Sequence, residues 1–375
     1  METSYINGAT EQLAKDIRAV IDQRPDLSGD VALNESFARF EETCRITPAI
    51  VGYVADKLKH ETNTPAFSDR QLELLMLAVI ARSSSTYGTI PNVVAHLALI
   101  GEHQDAAILN ENAKNETGDR AHAPHPTLLY DCFAVIGEAL AVPALTPASY
   151  HIMRQVLIER ERIGQPVLQT VEAVEDYFAV NDLHVPAYTE ADIGVALHYA
   201  GRCDPAITHL HSRIVEIESR MDDRSGAAAA RNPYDKAWLG VRRLELAMRE
   251  ASSVDEHDTG RLSYIGAWGQ IVEHLIPQLP LCRHVRARAW TEAHNDEAAG
   301  QAAGWEGAAE EGHAEDARIQ AVTMLRTLKP ATFAMVLAEV AEFNALRLGF
   351  WDRVVSDLQR LERSPGVPEA AVAAE

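Results

Sequence analysis

Residues 305–317 read WEGAAEEGHAEDA and continue through Arg318 into IQAVTML. The stretch lacks proline and is rich in alanine and charge, so it predicts a helix. On that helix Glu306, Glu310 and His313 fall at i, i+4 and i+7, which places them on one stripe. Two carboxylates and an imidazole on one stripe suit a transition metal, with oxygen and nitrogen donors matched to iron or manganese. The same residues also fit a solvated acidic face, because Glu311, Glu315 and Asp316 supply acid nearby. The surrounding chain has to decide between the two.

Outward from this helix the hydrophobic period is helical almost everywhere, and no run of alternating β-branched residues marks a strand. Upstream lies GRLSYIGAWGQIVEHLIPQL, which Pro277 kinks or ends; downstream, Pro330 opens a long helix through FWDRVVSDLQRLE. RQLELLMLAVIARSSSTYG, opened by Ser68–Asp69, is apolar almost all round and reads as a central bundle helix. Asn34–Glu35–Ser36 can cap the helix carrying FARFEETCRI. The predicted class is all-α: a lead-in over residues 1–33, a single helical domain over 34–364 and a frayed tail over 365–375. Within that domain DDRSGAAAARNPYDK reads as a linker or mobile loop.

The 375 residues suffice for a sizeable core, and the 47% hydrophobic and 24% charged content is that of a globular protein. A formal charge of -21 argues against nucleic acid or an anionic membrane as the main partner. The four cysteines are scattered with no CxxC pair, the pattern of reduced structural thiols. With no apolar leader and no membrane-length apolar run, a cytoplasmic protein is expected. GxGxxG, GxxxxGK[ST] and GxSxG are all absent, so neither a nucleotide cofactor nor a serine elbow is indicated.

Two further stretches carry candidate ligands. In NENAKNETGDRAHAPHPTLL, Glu116 ends one helix two residues before Gly118, and His125 opens the next just before Pro126. Ordinary caps and turn residues explain the same pattern. In AWGQIVEHLIPQL, Glu273 sits among Ile271, Val272, Leu275 and Ile276, where a carboxylate is costly to bury unless paired or metal-bound. Solvent exposure beside His274 is the alternative.

Together the three stretches resemble the haem-oxygenase-like diiron oxidases and oxygenases, the iron-containing redox enzyme family. The resemblance rests on Asn112, Glu116, Gly118 and His125–Pro126–Thr127–Leu128–Leu129 in the first half, and on Glu273 with Pro277, then Glu306, Glu310, His313 and Ala314, in the second. It covers residues 70–140 and 260–325, which makes 150–255 an enlarged central helical segment of a haem-oxygenase-like helical bundle. It implies Glu116, His125, Glu273, Glu306, Glu310 and His313 as metal ligands, with His122 an alternative to His125. It also implies one or two iron ions (manganese being the alternative), O2 and a small amino-acid-like or fatty-acid-like substrate in specialised metabolism, and a possible homodimer.

Departures from the family pattern are specific. Glu306 stands where the family has a histidine, an anion in place of a neutral ligand, which favours harder metals. Glu310 stands where it has an aspartate. No acid occurs between Leu74 and Gly101, where the first ligand glutamate belongs, and Ser83 and Ser84 sit near its place. Two functions are therefore carried: a non-haem iron oxidase or oxygenase, and a metal-poor relative with a binding or partner role or cofactor-independent chemistry. Trp268, Trp290 and Trp305 flank the second-half ligands as core or as an apolar pocket wall. His209 with His211, and His294 with Asp296 and Glu297, read as surface or loop residues.

Overall fold

The computed structural model describes residues 8–59, 67–87, 89–117, 125–163, 168–181, 187–201, 235–257 and 309–363. Among these there is no strand, and the chain forms α1 (Ala9–Gln23), α2 (Pro25–Ser28), α3 (Val31–Cys44), α4 (Ala49–Lys59), α5 (Asp69–Tyr87), α6 (Thr89–Leu99) and α7 (His103–Thr117). It continues through α8 (His125–Leu140), α9 (Pro147–Ile163), α10 (Val171–Asn181), α11 (Glu190–Ala200), α12 (Lys236–His257), α13 (Ala309–Leu325) and α14 (Pro330–Arg363). The all-α class is as expected. None of the described helices is long and apolar enough to cross a membrane.

Two hydrophobic cores organise the helices. One gathers side chains from α1, α2, α3, α6, α7, α12, α13 and the first part of α14, around Leu13, Ile17, Phe37, Phe40, Leu244 and Phe333. The other gathers α4, α5, α8, α9, α10, α11 and the last part of α14, around Ile50, Ile80, Ile152, Ile193 and Trp351. With 34 residues α14 is about 50 Å long, enough to contribute Phe333 to Phe343 to one core and Phe350 to Leu358 to the other.

The N-terminal segment belongs to this architecture. Thr10, Leu13, Ala14, Ile17, Val20 and Ile21 recur at helical spacing and are all buried, so α1 is a core helix. The next helix starts earlier than its sequence suggests. Asp30 caps α3 by accepting a hydrogen bond from Leu33 N at 2.8 Å, and Asn34 lies inside the helix, its Nδ2 donating back to Asp30 O at 2.8 Å. The reason is burial: a helix beginning at Val31 puts Leu33 in line with Phe37, Phe40 and Cys44, whereas a start at Asn34–Ser36 leaves Leu33 outside it.

The α5 helix is buried from Gln71 to Ile80 except for half-buried Leu74, as its all-round apolarity predicts. The more enclosed helix is α12, where every residue from 239 to 252 is buried. It packs on α1, α4, α6, α13 and α14. Gly240 permits part of this approach, since a Cβ there lies 3.1 Å from both Leu328 Cδ1 and Val336 Cγ2.

Candidate functional site

The α13 helix settles which of its faces is solvated. Glu315 and Ile319 are exposed, while His313, Ala314, Ala317, Gln320 and Ala321 are buried, with His313 at 0% exposure. The acid-rich face and the histidine are therefore on different sides of the helix. An imidazole at full burial costs desolvation that its interactions must offset, and its nitrogen is a donor type suited to a transition metal. Position 310 lies one turn before His313 on the same side.

The helix α7 packs against α13. Its buried positions Ala106, Leu109, Asn112 and Ala113 form one stripe, and the helical register carries that stripe on to position 116 in the last turn. Asn112 is 1% exposed and its Oδ1 has no hydrogen-bond partner among the described residues. A buried amide oxygen left so costs about 1–3 kcal/mol, unless a side chain outside the described residues or a bound group serves it. An orphaned oxygen and a buried imidazole on two packed helices fit a bound metal or its water.

The predicted ligands are distributed as follows. Glu116 lies in the last turn of α7, His125 is the first residue of α8, and Glu310 lies in the first turn of α13. The helices α7 and α8 pack together, as do α7 and α13. His313 is the one ligand of the set with a described side chain. Glu273 and Glu306 lie outside the described residues, as do His122, His209, His211, His294, Asp296, Glu297, Trp268, Trp290 and Trp305. Among the described residues no three His, Cys, Asp or Glu side chains gather as a metal group, a statement that reaches His313 alone of the predicted ligands.

The structure adds a polar layer absent from the sequence reading. On α12, Glu245 is 0% exposed and accepts from Arg242 Nη1 at 2.8 Å and from Arg249 Nη2 at 2.7 Å. Burial pushes the Glu245 carboxyl up, but Arg249 and Arg242 outweigh it and hold the group below its ordinary range. Arg249 also lies 4.5 Å over the Phe343 ring of α14. Next to it, buried Arg347 Nε donates to Asn344 Oδ1 at 2.9 Å. Asp255 accepts from Ala9 N at 2.6 Å, Thr10 N at 3.1 Å and the Thr10 hydroxyl; burial raises its carboxyl against those hydrogen bonds. RRLELAMRE does place Arg242, Glu245 and Arg249 at i, i+3 and i+7, but with Arg243 and Glu250 beside them the stretch reads as a charged helix face until its packing is known.

On α5, Glu73 is buried and engaged by Arg70 Nη1 at 2.9 Å and by His198 Nε2 of α11 at 3.1 Å. The nearest acid before the acid-free stretch is thus engaged within α5 by Arg70 and across to α11 by His198.

Compared with known proteins, the chain matches no family model, no curated sequence and no solved structure.

Proposed function

We propose that this protein is a non-haem iron-dependent oxidase or oxygenase built on a haem-oxygenase-like bundle, acting with O2 on a small amino-acid-like or fatty-acid-like substrate. The observation that carries this reading is the placement of His313, fully buried on the side of α13 away from its exposed acid, on a helix packed against the one bearing Asn112 and Glu116. Glu116 and His125 would hold metal from the first half of the chain, and Glu273, Glu306, Glu310 and His313 from the second. Iron bound there supplies O2 activation for hydrogen abstraction or oxygen transfer.

The protein's own part is electrostatic and steric. The imidazole of His313 would serve as a neutral donor, whereas the carboxylates of Glu116, Glu273, Glu306 and Glu310 would offset the charge of a metal. Glu306 in a histidine's place adds one negative charge, which favours a harder ion. Burial of His313 keeps water from that donor and would strengthen an interaction made there.

A second reading, a metal-poor relative with a binding or partner role or cofactor-independent chemistry, is favoured by one feature. The chain has no acid from Leu74 to Gly101, and Glu73 just before it is bonded to Arg70 and His198. Anaerobic Fe(II) loading followed by metal analysis separates the two. One or two irons per chain with an absorption band that appears on O2 addition support the oxidase; no retained metal overturns it in favour of the second reading.

A further inference from the structure

Arg243 of α12 is 4% exposed, yet its guanidinium reaches the start of α7, where Nη2 pairs with Asp105 Oδ2 at 3.0 Å and with Glu102. From α13, Gln320 Nε2 donates to the Asp105 carbonyl oxygen at 3.3 Å. The first turn of α7 is therefore tied to both helices beneath it. Seven and eleven residues on, at positions 112 and 116, the same side of α7 carries Asn112 and Glu116.

As a stabilising device this arrangement is poor. Glu102 and Asp105 already complement the positive end of α7 without a buried cation. Arg243 must be desolvated, and its Nε, buried, has no hydrogen-bond partner among the described residues. An apolar side chain of similar volume often serves a buried position as well or better. What a forked, directional cation gives instead is a fixed position for the helix that it holds.

We propose that Arg243 is a positioning residue for the metal site, clamping Glu102 and Asp105 so that α7, bearing Asn112 and Glu116, keeps one register against α13, bearing Glu310 and His313. This rests on the iron-site reading above.

The test is anaerobic Co(II) titration of the full chain, following the visible band and its affinity, with circular dichroism for helix content. Arg243→Met is expected to weaken Co(II) binding at least tenfold and alter the band with helix content retained, and Arg243→Lys to recover part of the loss. Glu102→Gln with Asp105→Asn removes the clamp from its solvent side, remains informative if Arg243→Met does not fold, and is expected to weaken binding in the same direction. Unchanged affinity in folded Arg243→Met, or in the solvent-side variant, overturns the clamp while leaving the metal site standing. A wild-type protein that binds no Co(II) overturns both.

Discussion

Glu245 and Arg249 form an ion pair sealed inside the protein: Arg249 Nη2 donates to Glu245 Oε1 at 2.7 Å, with the two side chains 0% and 2% exposed. Such a pair adds little over a well-packed apolar replacement but is costly to break from one side. It lies on a helix that packs on α1, α4, α6, α13 and α14, so its integrity bears on the core they share.

The pH dependence follows from the sign of the shift. Glu245 is held below its ordinary value of 4.5, so its contribution is present above that pH and is lost as pH falls through the lower folded value. Glu245→Gln is expected to cost about 3–5 kcal/mol at neutral pH, because it removes a buried carboxylate charge that two guanidinium groups share. Urea unfolding across the acid range should show stability falling less steeply in the variant than in the wild type. Equal acid slopes would mean that Glu245 is not a titrating partner.

Backbone strain gives a second expectation. Ala141 follows α8 with a φ of 55°, while Val142 N donates to Gly137 O at 2.9 Å, so an alanine occupies the left-handed position that usually takes glycine after a helix. Ala141→Gly is expected to stabilise by about 1 kcal/mol, against the added entropy of the unfolded chain, and Ala141→Val to destabilise. Gly101 is the mirror case: its φ is 86° with open space around it, so Gly101→Ala should cost about 1 kcal/mol from the backbone alone. Thermal unfolding of the three variants checks the signs.

The legible part of the fold was the part written locally. Pro330 and His125 mark helix starts, and the turn holding Glu116 just before Gly118 marks an end, because caps and breakers act within a turn. What escaped was written between helices. The face of α1 can be read as amphipathic, but nothing within residues 9–23 shows that Asp255 accepts the first amides of that helix, since its sequence separation from Ala9 is 246. RRLELAMRE looks like a solvated charged helix until α1, α6, α13 and α14 surround it. The site divides the same way: the spacing of Glu310 and His313 was readable, whereas which side of α13 is solvated depends on its neighbours.

The core role of α1 is tested at Ile17, which is 0% exposed. Ile17→Ala removes three buried carbons and leaves space between packed helices, an expected loss of about 2–5 kcal/mol. A peripheral lead-in predicts a change within about 0.5 kcal/mol, the usual range for surface substitutions. Chemical denaturation separates the two outcomes, since the gap between them exceeds the error of the extrapolation.

A metal site at His313 makes its own thermodynamic demand. An ion that binds the folded chain alone stabilises it by about 2.7 kcal/mol when free metal is a hundredfold above the dissociation constant. Mn(II), which does not react with O2 as Fe(II) does, should therefore raise the unfolding temperature of the wild type, and a chelator should reverse the rise. His313→Leu keeps an apolar side chain in the 0%-exposed position, and its response to Mn(II) is read against its own metal-free unfolding temperature. Its Mn(II)-dependent increment should disappear, because a hydrocarbon cannot donate to the ion. An undiminished increment in His313→Leu places the metal elsewhere on the chain, and its acidic surface, with a net charge of -21, then becomes the site to search.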